Sequence, residues 1–309
     1  MRIAIMGSGG MGGYLGAKLA VSGHDVIFIA RGRHLDALKS NGLKLISQNG
    51  DIHINKPSVY EDTRDVGPVD LILFCVKLYD TKPAALACKP MMNHDTFLLT
   101  LQNGVESADI ISSIIGPGKT ISGAIYVSAS IQSPGIIKHS GGNDTIRFAE
   151  ADNLPSARTD ILENIFDQAG LIGLRADNMK EMLWSKFVLL CANAGLGSLT
   201  DSGTKTMCSD PDTKEILLAA MWEVFNVAKA MDIMLPESII EDILNLLLHD
   251  QQEEMIASQC LDLRCGKMLE LEWIQGTLHR LGKLHNVPTP INSTAYVALR
   301  RFASGSKSN

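Results

Sequence analysis

A glycine-rich hexapeptide, Gly7-Ser8-Gly9-Gly10-Met11-Gly12, follows an apolar run at residues 2–6 and opens an amphipathic stretch at 12–22. A strand, a G-x-G-x-x-G turn and a helix in that order suit a pyrophosphate. The first glycine permits the tight turn, the second lets the backbone approach the ligand, and the third lets helix and strand pack closely. The helix then offers free N–H groups and the positive end of its dipole to phosphate oxygens. A glycine turn that only packs a helix would use the same residues, so the motif gains its weight from this context. At the end of the next apolar run, 25–30, an NAD enzyme usually places a carboxylate for the ribose hydroxyls. This chain has Arg31 there, with Arg33 close behind. A guanidinium can pair with a 2′-phosphate in two-pronged fashion, whereas a carboxylate would repel it. The residues favour NADP(H); the alternative is a pair of ordinary solvated loop arginines.

Two later apolar runs end in polar residues. Residues 71–76 run into Lys77, and 97–101 run into Gln102-Asn103-Gly104-Val105. Ligands of open α/β sheets sit at the carboxyl ends of strands, which is where Lys77 and Asn103 would meet a nicotinamide and a substrate. A solvated loop lysine and a simple Asn-Gly turn are the alternatives. Further on, Lys186 is the one cation in the apolar helical run 184–193. An ammonium there either reaches out to solvent or faces a polar cleft, and burial would lower its pKa and make it a better proton donor near neutral pH. Asn193 lies seven residues on, about −20° around the helix and so on nearly the same face. Together they mark a candidate polar cavity, with catalytic and structural readings of Lys186 both open.

These residues need a scaffold that brings strand ends together. The first half alternates short apolar runs with helical stretches, the pattern of a parallel sheet wrapped by helices, with further runs at 43–47 and 121–127. The runs 136–139 and 145–149, bounded by Gly141-Gly142, read as an antiparallel edge. From about residue 179 helical periodicity takes over: 214–231, a helix entered by Pro236 and running to about 249, and one over 270–285. The expected fold class is α/β, an N-terminal Rossmann-type doubly wound sheet over 1–177 followed by an all-α C-terminal domain over 178–309. The last six residues, 304–309, form a Ser/Gly tail. At 309 residues about two domains are expected.

Composition narrows the partners. With 45% hydrophobic and 20% charged residues the chain is of ordinary globular make-up, and its net charge of −6 argues against nucleic acid or an anionic membrane as a partner. The six cysteines are scattered without C-x-x-C or zinc spacing, so no metal is expected and buried free thiols in a reducing compartment are. The first strand begins at once, without a signal-peptide pattern, and the longest apolar runs break before about 18 residues. A cytoplasmic protein without a membrane span is the expectation. No sequence feature fixes the oligomeric state; a homodimer is one candidate arrangement.

Taken together, the chain resembles the 2-dehydropantoate 2-reductase (ketopantoate reductase) family over essentially its full length. The resemblance rests on the Gly7–Gly12 loop, Arg31, Val76-Lys77, Asn103-Gly104 and the W-x-K of Trp184-Ser185-Lys186. It also rests on Ser258-Gln259-Cys260-Leu261-Asp262 and the stretch from Gly266 to Gly276, which resembles the family's G-[RK]-x-T-E-[IL]-[DE]-x-[IL]-[NQ]-G signature with Leu269 in place of the Thr. It implies NADPH-dependent reduction of 2-dehydropantoate (ketopantoate) to pantoate, a step of pantothenate biosynthesis. It implies Lys186 as proton donor, Asn103 in contact with cofactor and substrate, and Ser258 as the hydroxyl that holds the substrate carboxylate. Glu270 becomes the acid completing the site beside substrate and cofactor, and Ala129, in the loop after 121–127, a backbone contact to the cofactor. By composition alone Ser258 would be a helix-surface serine and Glu270 a first-turn helix carboxylate. Well-studied members carry asparagines four and eight residues after the lysine; here these are Leu190 and Ala194. Either Asn193 takes over one role, or the substrate is a different 2-oxo acid. A non-catalytic NADP(H)-binding redox sensor is a third, separate reading.

Overall fold

The computed structural model describes residues 1–250 and 254–305; most of the Ser/Gly tail at 304–309 lies outside them. The chain forms two compact units, Met1–Met179 and Lys180–Asn309.

The first unit is a ten-stranded mixed sheet wrapped by helices. In chain order it contains β1 (Arg2–Met6), α1 (Gly10–Val21), β2 (Asp25–Ile29), α2 (Gly32–Asn41), β3 (Leu43–Ile46), β4 (Ile52–Ile54) and β5 (Ser58–Tyr60). Then follow β6 (Leu71–Phe74), α3 (Thr81–Cys88), β7 (Phe97–Thr100), α4 (Ser107–Ile115), β8 (Thr120–Ser133), β9 (Ile136–Ala149), α5 (Ala157–Gln168) and β10 (Ile172–Arg175). The strand order is β4-β3-β9-β8-β7-β6-β1-β2-β5, with β10 also on β9. The central strands β1, β2, β6 and β7 are apolar except at their ends (Arg2, Asp25, Thr100), because both faces are covered. Ile3, Ile5, Leu71 and Leu73 pack with Leu15, Leu38 and Phe166 of α1, α2 and α5. Ala4, Met6, Ile72 and Phe74 pack with Ala85, Cys88 and Ile111 of α3 and α4. That period-two division makes the sheet doubly wound.

The chain leaves β1 toward β2 on one side and returns to β6 on the other, so the order reverses at β1/β6, the switch point where such sheets bind ligands. The parallel registers Met6↔Ile29, Met6↔Phe74 and Phe74↔Thr100 end these strands level with one another. The residues immediately beyond them therefore emerge at one edge.

The expected antiparallel edge is corrected. Residues 136–149 form one strand, not two, and it is interior: antiparallel to β8 and parallel to both β3 and β10. Gly141 and Gly142 stay within it, and the register slips between Tyr126 and Val127 to leave Asn143 and Asp144 as extra residues. A bulge absorbs the glycines without ending the strand. The bulged Asp144 (φ 55°) accepts from the Tyr14 hydroxyl at 2.5 Å and from Asn49 Nδ2 at 3.0 Å, anchoring α1 from its side.

The second unit is helical: α6 (Met179–Thr200), α7 (Thr204–Ser209), α8 (Pro211–Ala230), α9 (Ile239–Asn245), α10 (Ser258–Arg264), α11 (Gln275–Leu284) and α12 (Pro290–Leu299). Three expected helix limits change. The helix read from 214 starts at Pro211, because Asp210 accepts from the Thr213 N–H at 2.8 Å and proline suits the first turn. Pro236 lies before its helix, which starts at Ile239 and passes into a π-helical turn over Leu246–Asp250. The helix read from 270 starts at Gln275: Leu269 and Leu271 are buried against Tyr296 and Leu299, and Leu269 N–H donates to Ala303 O. That tertiary tie keeps 269–271 out of the helix. At 22 residues α6 exceeds the apolar length expected of any run here; length and composition would let it cross a membrane, yet most of it is buried in the chain itself.

Deep in this unit Glu223 of α8 caps α12. Its carboxylate accepts from Ile291 N at 2.7 Å, Asn292 N at 2.9 Å and Asn292 Nδ2 at 2.7 Å, which satisfies a helix N-terminus and a buried charge at once.

Candidate active site

In the first unit the glycine loop follows β1 directly. Gly7 takes φ 95° and lies against Val76, so a side chain there would be both strained and blocked. A Cβ on Gly12 would stand 2.1 Å from Gly7 O, and one on Gly10 2.3 Å from Ala129 O. A Cβ on Gly9, by contrast, meets nothing within 4 Å. No side chain caps α1, and its first turn carries no acid. The loop thus keeps an open face, free N-terminal dipole and close backbone, which fits a dinucleotide pyrophosphate. Ser8 is buried and spends both its N–H and its hydroxyl on Ile29 O, each at 3.0 Å, so it ties the loop to β2. Met11, in the first turn of α1, is half-buried and packs against the core.

Ala129 is a strand residue of β8, paired with His139, and not part of a loop as expected; the long hairpin carries it over the start of α1. Arg31 stands at the N-cap of α2, exposed, its guanidinium ion-paired with Asp80. Lys77 leads the 3-10 turn Leu78–Asp80 after β6. Asn103 follows β7, with Gly104 at φ 82° and the Ser107 hydroxyl on its carbonyl at 3.4 Å.

Sequence reasoning passed over Gln102, which braces the two turns. Buried at the end of β7, its amide donates to Val76 O and to Thr81 Oγ1, both at 2.9 Å. One side chain thereby ties the end of β7 to the backbone just before Lys77 and to the Thr81 side chain at the start of α3. It also passed over His34, whose Nδ1 accepts from Gly135 N–H at 3.2 Å and joins α2 to the β8–β9 turn; burial holds this imidazole below its usual range. No local pattern marks either residue, since each acts through a partner distant in sequence.

In the second unit Lys186 sits half-buried on α6 between the buried Trp184 and Phe187, and burial pushes its ammonium down to about 8. Asn193 is buried on the same helix, its Oδ1 without a hydrogen-bond partner among the described residues. Leu190 is half-buried and Ala194 buried. Ser258 is exposed at the start of α10. Glu270 is buried, at the turn that leads into α11 and not in a first helical turn; its carbonyl accepts from Trp273 and Ile274. Two glutamines hold these elements together. Gln275 Nε2 donates to Cys191 O at 3.0 Å, and Gln259 Nε2 donates to Ala194 O at 3.2 Å and to Gln275 Oε1 at 3.1 Å. Gly195 makes room for this approach: a Cβ there would lie 3.3 Å from Gln275 Nε2. All six cysteines are free, and Cys265 alone is exposed, where buried thiols were expected.

Comparison with known sequences matches the profile described as "Ketopantoate reductase PanE/ApbA" to residues 3–153, and that described as "Ketopantoate reductase PanE/ApbA C terminal" to residues 178–303. The chain belongs to the ketopantoate reductase family. It is 26% identical to the 2-dehydropantoate 2-reductase of Mesorhizobium japonicum, covering 98% of each chain. Among solved structures it resembles a PanE/ApbA family ketopantoate reductase from Ralstonia eutropha at 32% identity, 98% coverage of both chains and a TM-score of 0.89. It resembles 2-dehydropantoate 2-reductase from Geobacter metallireducens at 28% identity, covering 97% of this chain and 99% of that one, with a TM-score of 0.90. A D-mandelate dehydrogenase solved with NADH and anilino(oxo)acetate shares the fold at 22% identity, 98% coverage of both chains and a TM-score of 0.90. The chain is an oxidoreductase of the ketopantoate reductase type, and the family uses a nicotinamide cofactor.

Proposed function

We propose that the chain reduces 2-dehydropantoate to pantoate with NADPH, and that Lys186 donates the proton. The observation that carries this reading is the Lys186 ammonium, set in an apolar helix and brought down to about 8 by burial. At neutral pH such a group is mostly protonated yet releases its proton readily. The reduced nicotinamide, when bound, supplies hydride to the carbonyl carbon. Negative charge then gathers on the carbonyl oxygen. Lys186 Nζ meets it: the N–H bond breaks as the O–H bond forms, leaving the 2-hydroxy acid and a neutral amine. Ser258 holds the substrate carboxylate. Asn193, on nearly the same helix face as Lys186, takes over the part of a missing asparagine toward the substrate, and Glu270 completes the site. The 7–12 loop, Lys77, Asn103 and the backbone at Ala129 hold the cofactor, with Arg31 on its 2′-phosphate.

A second reading keeps fold and chemistry but changes the acid. Leu190 and Ala194 bring no hydrogen-bonding group where well-studied relatives carry asparagine, which favours a more apolar 2-oxo acid. One assay tests both: NADPH consumption with 2-dehydropantoate, with branched and aryl 2-oxo acids alongside, for wild type and Lys186→Ala. Turnover of 2-dehydropantoate that disappears in the variant supports the first reading. Preference for another 2-oxo acid moves the assignment to the second. NADPH binding without turnover of any of them defeats both and leaves a redox sensor.

A further inference from the structure

We propose that Asp80 sets how strongly this chain distinguishes a 2′-phosphorylated dinucleotide from an unphosphorylated one. Arg31 as the phosphate's partner is taken over from the proposed function; Asp80 is the residue that governs it. Arg31 leaves the end of β2 on an extended backbone, and its side chain is 75% exposed. What holds its guanidinium is the Asp80 carboxylate, on the turn after β6, whose side chain is only 24% exposed. The pair therefore spans two strand ends that flank β1 at the switch point.

Asp80 also occupies the N-cap of α3, where an aspartate ordinarily accepts from its own helix N–H groups. Here its side chain makes no capping bond and turns to Arg31. An exposed ion pair adds little to stability, so a stabilising role gives scant reason to forgo the cap. The contact uses Arg31 Nη2 and leaves the other edge of the planar fork, with its own N–H groups, for a second anion.

The consequence is two-sided. Asp80 orients the guanidinium, but its negative charge stands beside any 2′-phosphate that Arg31 receives, and that phosphate carries about −1.5 to −2 charges at neutral pH. A ribose with a free 2′-hydroxyl suffers no such repulsion. Asp80 thus weakens the preference for the phosphorylated cofactor that Arg31 alone would give, and keeps NADH within reach.

Calorimetric titration of the full chain with adenosine 2′,5′-bisphosphate and adenosine 5′-monophosphate isolates the 2′-phosphate without any turnover. The variants are Asp80→Asn, which keeps an acceptor oxygen but loses the charge, Asp80→Ser as a smaller polar control, and Arg31→Ala. Asp80→Asn should tighten the bisphosphate roughly threefold to tenfold and leave the monophosphate within about twofold, an effect that shrinks as salt screens the charges. Asp80→Ser should move in the same direction, and thermal melts confirm that each variant is folded. If Arg31→Ala weakens the bisphosphate while neither Asp80 variant tightens it, Asp80 has no such role and the reading of Arg31 stands. If Arg31→Ala leaves the bisphosphate affinity unchanged, both are overturned.

Discussion

The two units build their functional residues in opposite ways. In the first, main chain dominates: a glycine loop, an uncapped helix start and level strand ends, with glycines chosen for the side chains they lack. In the second, side chains dominate. Lys186 and Asn193 project from one apolar helix, whose carbonyls are held by glutamines from α10 and α11. A backbone site tolerates almost any neighbouring side chain but no added Cβ. A side-chain site tolerates local backbone change but depends on the exact environment of one or two groups.

The largest expected effect breaks the second unit alone. Lys186→Ala should lower kcat by about 10²–10⁴-fold, the range of a lost general acid. NADPH affinity, followed by nicotinamide fluorescence, should stay near wild type. Comparable losses in both would mean that the division between units fails.

The matching change in the first unit is Gly9→Ala, whose Cβ finds open space. The fold should survive with an unchanged melting temperature, while cofactor affinity falls about tenfold to a hundredfold because the loop can no longer approach the pyrophosphate. Gly12→Ala, 2.1 Å from Gly7 O, should instead lose stability as well, by about 1–3 kcal/mol of overpacking. Equal melting temperatures for the two variants would contradict the geometry.

The pH dependence sharpens the comparison, since the residues of the second unit should impose it. Activity should fall as pH rises through about 8 and Lys186 loses its proton. Stability should move the other way. The unfolded chain holds this proton up to about 10.5, so between about 8 and 10.5 the unfolded state binds more protons, and stability gains with pH in that window. Lys186→Met should lose this contribution to the stability profile; denaturant titrations from pH 7 to 10 that match wild type in slope would count against a depressed lysine.

The smallest effect concerns the brace. Gln102→Leu removes bonds to Val76 O and Thr81 Oγ1 and should cost about 1–3 kcal/mol, read as a lower denaturation midpoint. With the Lys77 turn loosened, KM for NADPH should rise more than kcat falls. A change in kcat alone would place Gln102 outside cofactor positioning.

By itself the sequence determined the sheet's central strands, the glycine loop and the change to helices near residue 179, because each is a local signal. Apolar runs, turn glycines and helical periodicity act over a few residues. Lys186 was legible as well, the one cation in the apolar run 184–193, though its choice between structural and catalytic roles was not. Tertiary structure decided what local signals could not reach. Gly141-Gly142 looked like a break and stay paired inside the strand, with Asn143 and Asp144 bulged beside them, because pairing with β8, β3 and β10 outweighed the glycines' local cost. Residues 270–274 looked helical and form a turn before α11, since burying Leu269 and Leu271 and bonding Leu269 to Ala303 outweighed helix propensity. Asp80, Gln102, Gln259 and Gln275 are unremarkable in the sequence. Their roles come from partners 16 to 84 residues away, and nothing in a linear pattern specifies which distant groups folding will bring within hydrogen-bond reach.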